Sequence, residues 1–139
     1  MAKPAPNEPC PCRSGEKYKK CCRSWHQGSP APSPEALMRS RFAAYALGLV
    51  DYILDTTDPK GPMARDDRRA WAADVAGFCR ATRFDGLVIL GSGQGSGDQG
   101  DEGWVRFRAV LVQDGSDASF EERSRFVREG GRWRYHSGA

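Results

Sequence analysis

Apolar residues recur every three or four positions after residue 34, which is the spacing of one face of an α-helix. These residues are Met38, Phe42, Tyr45, Leu49 and Tyr52. Ser33 and Pro34 come before them, and the two residue types suit the N-cap and the first position of a helix. The pattern predicts one helix of about four or five turns that begins at Pro34 and reaches Tyr52.

A second helical pattern follows the segment TTDPKGP, which breaks the first helix. Trp71, Val75 and Phe78 lie on one side of this second helix, and it ends near Arg80. The sequence therefore predicts two helices before any strand.

The period of the pattern changes after Arg83, from the helical spacing to alternation or to short apolar runs, which are typical of strands. At least four strands are predicted: FDGLVIL (84–90), WVRFRAVLV (104–112), SFEERSRFV (119–127) and WRYH (133–136). QDGSD and REGGR are turns between them, and the glycine-rich residues 91–100 predict a flexible hairpin loop. Helices followed by strands favour the α+β class, with the helices on one face of a curved antiparallel sheet.

The composition limits the number of domains and the class of protein. The chain has 139 residues, of which 39% are hydrophobic and 28% charged, as in a soluble globular protein with one domain and a small appendage. It has no run of about 18 apolar residues, and its first residues lack the apolar stretch of a secretory signal. These features predict a cytoplasmic protein with no membrane contact.

Positive charge is concentrated at one end of the chain. The net charge is +3, and residues 1–28 hold six lysines and arginines against two glutamates, so that this segment alone carries +4. Residues 29–34, SPAPSP, form a proline-rich linker, and residues 35–139 hold the predicted helices and strands. We call residues 1–28 the cysteine knuckle, and we expect residues 35–139 to form a core without its help.

Four of the five cysteines lie within the segment CPCRSGEKYKKCC. They are Cys10, Cys12, Cys21 and Cys22. Two close pairs of thiolates suit a four-coordinate metal ion, while a reducing cytoplasm disfavours the alternative of disulfides or unliganded thiols. Zinc and iron both bind to such sulfur ligands, and the sequence does not separate them. His26 is a less favoured alternative ligand, and Cys79 is expected to be a small buried residue.

The segment CPCRSGEKYKKCC resembles the SEC-C motif, a small zinc-binding segment found at the C-terminus of the SecA translocation ATPase and in many other bacterial proteins. The motif commonly has glycine at the position of Arg13 and lysine at that of Glu16, and neither position is a ligand. The resemblance implies that Cys10, Cys12, Cys21 and Cys22 bind the metal.

Three further segments are similar to the YchJ-like bacterial family: EALMRSRFAAYALGLVDYILDTT, RFDGLVIL and EERSRFVREGGRWRYHSG. Members pair a SEC-C motif with a domain of the nuclear-transport-factor-2-like (NTF2-like) fold, a cone of helices against a strongly bent sheet. The resemblance covers nearly the whole chain and implies that fold, but the family's name carries no activity. Many members have histidine at the position of Glu121, so no role is carried over to that residue.

Basic side chains lie around the clustered cysteines and predict a surface for a partner. They are Lys17, Lys19, Lys20 and Arg23. The SEC-C segment of the SecA family binds the chaperone SecB and the ribosome, so the resemblance implies an acidic protein surface or the ribosome as partner. We therefore expect an interaction or adaptor protein. Nucleic-acid binding by so few cations would be weak and salt-sensitive, and the sequence does not predict an oligomeric state.

Alternation in the strand SFEERSRFV predicts which of its side chains face the core. One face carries Phe120, Glu122, Ser124 and Phe126. Because the phenylalanines make this the buried face, Glu122 must be protonated, paired or hydrogen-bonded there. Arg39 or Arg41 on the first helix is the expected partner, in an ion-pair network that joins the helix to the sheet.

An alternative function is small-molecule binding or catalysis in a pocket of the cone-shaped fold. The candidate pocket residues are Glu122, Ser124, Arg41 and Tyr45. The sequence contains no catalytic motif, so no catalytic residue is assigned and an enzyme is not the favoured interpretation. Trp104, Trp133 and Tyr135 are expected to pack in the sheet, and His136 has no assignable partner.

Overall fold

The computed structural model describes residues 6–95 and 101–138. The helices of this part are α1 (Cys22–His26), α2 (Pro34–Leu47), α3 (Val50–Asp55) and α4 (Arg68–Ala81). Its strands are β1 (Thr82–Gln94), β2 (Glu102–Gln113), β3 (Ser116–Asp117), β4 (Phe120–Glu129) and β5 (Arg132–Gly138). A single 3₁₀ turn, Tyr18–Lys20, comes before α1. Within these described ranges, no helix is both long and apolar enough to cross a membrane.

The strands form one antiparallel sheet in the order β1-β2-β4-β5, with the short β3 paired to β2. The pairs Leu87 with Ala109 and Phe126 with Tyr135 illustrate the register. Register shifts occur twice in β1 and once between β4 and β5, and such irregularities bend a sheet. Helices followed by an antiparallel meander confirm the predicted α+β class.

The first predicted helix begins where the sequence indicated but ends earlier. The side-chain oxygen of Ser33 accepts a hydrogen bond from the backbone N–H of Ala36 at 3.1 Å, so the predicted N-cap is confirmed. Gly48 then adopts a left-handed backbone with φ of 71°, which ends α2, and the chain restarts as α3 at Val50. The prediction of one helix through Tyr52 is therefore wrong, because the left-handed turn at Gly48 divides it.

The first strand is longer than predicted. β1 continues past Leu90 to Gln94, because the indole of Trp104 lies against the backbone of Gly91 and Gly93. A Cβ atom added to Gly93 would come within 2.8 Å of the Trp104 indole nitrogen. The predicted loop at 91–100 is thus wrong for residues 91–94, which belong to the strand, and residues 96–100 lie outside the described part.

The main core lies between α2 and the inner face of the sheet. Its largest members are Leu37, Met38, Phe42, Phe107, Phe126 and Trp133, all buried. Burial of such side chains contributes about 1.5–3 kcal/mol each. The second predicted helix is confirmed as α4, where Trp71 and Val75 pack beside α3 and the ring of Phe78 meets that of Phe84.

The cysteine knuckle packs directly against α2. Ala43 and Leu47 of α2 share a buried cluster with Cys12, Tyr18 and Cys22. Linker residues contribute as well, since Ala31 is buried in the main core. Tyr18 and three cysteines thus cover the apolar surface on one side of α2. The buried members of the main core in the described part all come from residue 31 onward, so the expectation that residues 35–139 form a core without help from the cysteine knuckle stays a prediction.

Candidate functional site

The four clustered cysteines bring their sulfur atoms together. The Sγ atoms of Cys10, Cys12, Cys21 and Cys22 all lie within 4.8 Å of one another. The Cys12–Cys21 separation is 3.5 Å and the Cys21–Cys22 separation is 3.9 Å. Zinc–sulfur bonds of about 2.3 Å in a tetrahedron place the sulfurs about 3.8 Å apart. The donor set therefore fits a single four-coordinate metal ion, and all five cysteines are free thiols rather than disulfides.

Backbone contacts of the cysteine knuckle hold the first cysteine pair. The N–H of Cys10 donates to the carbonyl of Glu16 at 2.9 Å, and the N–H of Arg13 donates to the carbonyl of Cys10 at 3.1 Å. The turn between them needs left-handed backbone at Arg13 and Gly15, with φ of 67° and 89°. Glycine adopts this conformation without strain, which explains why the SEC-C motif favours glycine at the position of Arg13.

Electrostatics of the cluster favour one thiolate among protonated neighbours. Hydrogen bonds from Cys10 and then Cys22 lower the pKa of Cys12. The pKa of Cys10 rises to about 12, mainly because its thiol donates to Cys12. The pKa of Cys22 is also raised, through its hydrogen bonds to Cys10 and Cys12 and through burial. A metal ion must therefore displace protons from Cys10 and Cys22, so binding should strengthen as the pH rises.

His26, the alternative ligand, is directed away from the sulfur cluster. Its Nε2 lies 2.8 Å from the carbonyl oxygen of Ser40, and its Nδ1 lies 2.7 Å from the hydroxyl of Tyr18. A carbonyl oxygen only accepts hydrogen bonds, so Nε2–H donates to Ser40. Both ring nitrogens are engaged in these contacts, and the structure therefore favours four cysteines over a set that includes His26.

Three predicted partner-binding lysines point to solvent from the loop between the cysteine pairs. Lys17, Lys19 and Lys20 are exposed, while Arg23 is half-buried. Among residues 6–95 and 101–138, none of these four side chains forms an ion pair. Their positive charge is therefore available to a partner.

The predicted pocket residues also meet, at a cavity between α2, α4 and the inner face of the sheet. We call this cavity, of about 190 Å³, the cone pocket. The four predicted residues that line it are Arg41, Tyr45, Glu122 and Ser124. Most of the remaining wall is apolar and includes Phe42, Phe84 and Phe107. Cys79 lies outside this lining and is buried at 2% exposure, as expected of a small apolar residue.

Glu122 does not pair with an arginine as predicted. Its carboxylate accepts hydrogen bonds from the Ser124 hydroxyl at 2.7 Å and from the Tyr135 hydroxyl at 3.4 Å. Arg41 instead donates to the carbonyl of Ile53 at 3.0 Å. It also donates to the hydroxyls of Thr56 and Thr57. The predicted ion pair with Arg41 is wrong, because Arg41 caps the C-terminal turn of α3, where carbonyl dipoles attract a cation.

The other expected partner, Arg39, is also directed elsewhere. It lies 3.4 Å from the carboxylate of Glu35 and donates to the carbonyl of Cys12 at 3.2 Å. Phe120 departs from the prediction too, since it is 42% exposed rather than buried. The strand face therefore runs from a buried end at Phe126 to an open end at Phe120, with the carboxylate of Glu122 between them.

Sequence reasoning missed Tyr135 as a pocket residue. It predicted only sheet packing, which is what Trp133 does at 3% exposure. Tyr135 instead lines the cone pocket and bonds to Glu122. The available signal was alternation, since Tyr135 lies two residues after the buried Trp133 and so shares its face. His136 pairs locally, with Nδ1 lying 2.8 Å from the Ser137 hydroxyl.

Comparison with known families agrees with both parts of the molecule. Residues 7–24 match the SEC-C motif, and residues 33–138 match the family described as YchJ, middle NTF2-like domain. The fold and the sulfur cluster thus define a class of protein in which a SEC-C segment precedes an NTF2-like α+β domain. Within that class, the chain belongs to the YchJ family, whose relatives are named UPF0225 proteins. The predicted family and fold are confirmed.

Two relatives cover most of the chain. A UPF0225 protein of Deinococcus radiodurans is 41% identical over 132 residues, which are 94% of this chain and 88% of the relative. A UPF0225 protein of Vibrio parahaemolyticus is 37% identical over 131 residues, which are 93% of this chain and 73% of the relative. Both matches span more than nine-tenths of this chain and therefore include residues of the cysteine knuckle and of the larger domain.

Solved structures show the same arrangement. The solution structure of RPA3114, a SEC-C motif containing protein from Rhodopseudomonas palustris, has a TM-score of 0.77 and 37% identity, and the match covers 95% of this chain and 98% of that one. The crystal structure of a SEC-C motif containing protein from Psychrobacter arcticus has a TM-score of 0.76 and 23% identity, covering 95% and 82%. This second likeness supports the fold alone.

Proposed function

We propose that this chain is a cytoplasmic zinc-binding interaction protein, whose cysteine knuckle docks on an acidic protein surface or on the ribosome. The observation that carries the proposal is the exposure of Lys17, Lys19 and Lys20 on the loop that joins the two cysteine pairs. A metal ion bound by those pairs would fix the loop and hold the three lysines in one arrangement. A fixed array of cations loses less conformational entropy on binding than a flexible one.

Zinc is the proposed ion because four cysteine ligands leave no open coordination position, as in structural zinc sites. Iron is the alternative, since it also binds four thiolates. In either case the ion would stabilise a segment that has few apolar residues of its own, and no catalytic step is assigned to it.

Charge supports an acidic partner. Residues 1–28 carry a net charge of +4 before metal binding. Four thiolates around one Zn²⁺ add a formal charge of about −2, so the metallated segment keeps an excess of positive charge on its exposed loop. Complementary charge raises the rate of association and makes it sensitive to salt. The same cations would also attract RNA, although weakly and with strong salt dependence because they are few.

A charge-reversal experiment tests this proposal. The triple variant Lys17→Glu, Lys19→Glu and Lys20→Glu should lose co-sedimentation with purified ribosomes and lose acidic partners in a pull-down from lysate. A control with the same charge change, Arg69→Glu, Arg80→Glu and Arg108→Glu, alters exposed residues outside the cysteine knuckle. The control should bind like the wild type. Identical partners and equal ribosome binding for wild type and the lysine variant would refute the proposal.

Ribonuclease treatment separates a protein partner from RNA, and a salt titration tests whether the contact is electrostatic. The proposal predicts that the acidic proteins captured in the pull-down remain bound after ribonuclease treatment. It also predicts that ribosome binding weakens between low and high salt. Binding to free RNA that stays unchanged from low to high salt would contradict an electrostatic contact of this size.

A further inference from the structure

The volume of the cone pocket limits what it can hold. It measures about 190 Å³, whereas pockets for drug-sized ligands measure about 300–1,000 Å³. An apolar protein cavity of about 150 Å³ is known to bind benzene. The space in the cone pocket is therefore that of one six-membered ring with one or two additional atoms.

Aromatic side chains shape the wall of the cone pocket. Phe42 meets Phe84 edge to face with ring centroids 5.7 Å apart, and Phe107 meets Phe120 edge to face at 5.8 Å. All four rings line the pocket, together with the small side chain of Ala109 on β2. Aromatic rings prefer offset-stacked or edge-to-face neighbours, so this wall favours a flat aromatic ligand over a bulky aliphatic one.

One end of the cone pocket is polar, and hydrogen bonds hold its side chains in place. The hydroxyls of Ser124 and Tyr135 both donate to Oε2 of Glu122. A carboxylate has about four acceptor positions, so Glu122 retains capacity for a donor from a ligand. The backbone of Gly138 lies directly against the Glu122 carboxylate, since a Cβ atom added to Gly138 would clash with it. Burial raises the pKa of Tyr135 to about 12, with Glu122 adding to the effect, so this hydroxyl remains a donor at neutral pH.

Opposite charges at this end disfavour an ionic ligand. Arg41, which is 5% exposed, lies at the same pocket as Glu122, with its guanidinium carbon 4.7 Å from the centroid of the Tyr135 ring. A carboxylate ligand would face the negative charge of Glu122, and an ammonium ligand would face the positive charge of Arg41. A neutral ligand avoids both repulsions while still donating a hydrogen bond.

The mouth of the cone pocket is open and apolar. Met63, Phe78 and Phe120 line it and are 48%, 38% and 42% exposed. Exposed apolar residues that cluster around a cavity mark a binding site more often than scattered ones do. They also give an uncharged aromatic molecule a path from solvent to the buried end.

We propose that the cone pocket binds a small neutral aromatic molecule of the phenol class, whose ring lies among the phenylalanines and whose hydroxyl donates to Glu122. This site is separate from the cysteine knuckle and goes beyond the interaction function proposed for it. Glu122 serves as an acceptor that orients the ligand, with Ser124 and Tyr135 as positioning residues.

Titration with three single-ring probes tests the proposal by NMR chemical shifts. Phenol should give saturable shifts at residues that line the cone pocket, and it should bind more tightly than toluene, which lacks the donor. Benzoate should bind more weakly than either. The absence of saturable shifts with phenol and toluene in the wild-type protein, or tighter binding of benzoate than of phenol, would overturn the proposal.

Variants then locate the site. Ala109→Leu adds bulk inside the cavity and should abolish phenol binding, whereas Ala73→Leu makes the same change at an exposed position of α4 and should leave it unchanged. Glu122→Gln keeps the shape of the side chain and should weaken phenol binding roughly tenfold, with little change for toluene. Binding of phenol to the folded Ala109→Leu variant with unchanged affinity, or equal losses for both probes in Glu122→Gln, would contradict the assignment.

Discussion

At the scale of single residues, Tyr135 joins the two charged side chains of the cone pocket. Its hydroxyl donates to Glu122, and its ring lies against the guanidinium of Arg41. Burial is the largest cause of its raised pKa, about 12 against an ordinary 10.0, and the charge of Glu122 adds to it. The neutral form of this side chain is therefore part of the folded state.

We expect the titration of Tyr135 to weaken the fold at alkaline pH. Because its pKa is higher in the folded chain, its contribution to stability is fully present below pH 10 and is lost as the pH rises from about 10 through about 12. The unfolding free energy of Tyr135→Phe should fall less steeply over that range than that of the wild type. Urea unfolding followed by tryptophan fluorescence measures how the unfolding free energy of each protein changes with pH. An equal change for the wild type and Tyr135→Phe would show that Tyr135 has no such role.

Residue types and spacing were enough to find the sulfur cluster, because the four thiols lie close in sequence and their chemistry is visible there. They were not enough to find the partners of Glu122. Arg41 is drawn to the C-terminal turn of α3, and α3 is a separate helix because the chain breaks at Gly48. The partner of a buried charge thus depended on a backbone feature that the apolar pattern does not contain.

At the scale of secondary structure, Gly48 sets the geometry on which the cone pocket depends. The spacing of Leu49 and Tyr52 continues the apolar stripe of α2, so periodicity alone predicts an unbroken helix. The left-handed backbone at Gly48 instead turns the chain, and the N–H of Leu49 donates to the carbonyl of Ala44 at 2.9 Å. This turn places the end of α3 beside Arg41.

A pair of glycine substitutions tests this role. Gly48→Ala should destabilise the fold by about 1 kcal/mol, because alanine is strained at a φ of 71°. Gly77→Ala lies within α4, where the added Cβ meets only the Arg80 side chain at 4.0 Å. It should stabilise by about 0.5–1 kcal/mol. Thermal and urea unfolding of both variants measure the change in the unfolding free energy that each substitution causes. A neutral or stabilising Gly48→Ala would contradict the account.

At the scale of the whole molecule, the cysteine knuckle and the larger domain share one apolar interface. In the described part of the chain, four side chains form hydrogen bonds across it: Arg13 to the Phe84 carbonyl at 3.0 Å, His26 to the Ser40 carbonyl at 2.8 Å, Arg39 to the Cys12 carbonyl at 3.2 Å and Arg132 to the Gly28 carbonyl at 3.3 Å. The sequence did not predict this interface, because the proline-rich linker is typical of a spacer. Contacts between segments distant in sequence have no local pattern.

Metal removal should therefore affect more than the cysteine knuckle. We expect a chelator to unfold residues 9–26 and to lower the unfolding free energy of the rest by about 3 kcal/mol, since the hydrogen bonds that Arg13, His26 and the Cys12 carbonyl make with the larger domain contribute about 1 kcal/mol each. Amide hydrogen exchange should rise in α2 and remain low in the central strand β2. A Cys12→Ser variant, treated with the same chelator, controls for effects unrelated to the metal. Unchanged amide hydrogen exchange in α2 after full metal removal would show that the interface does not stabilise the larger domain.

X-ray absorption at the metal edge, on protein purified without added metal, tests most directly whether the four cysteines hold one zinc ion. The account predicts one zinc per chain with four sulfur neighbours at about 2.3 Å and no nitrogen in the coordination shell. Stoichiometric zinc with three sulfurs and one nitrogen would restore His26 as a ligand, and protein purified with no bound metal would contradict the metal centre itself.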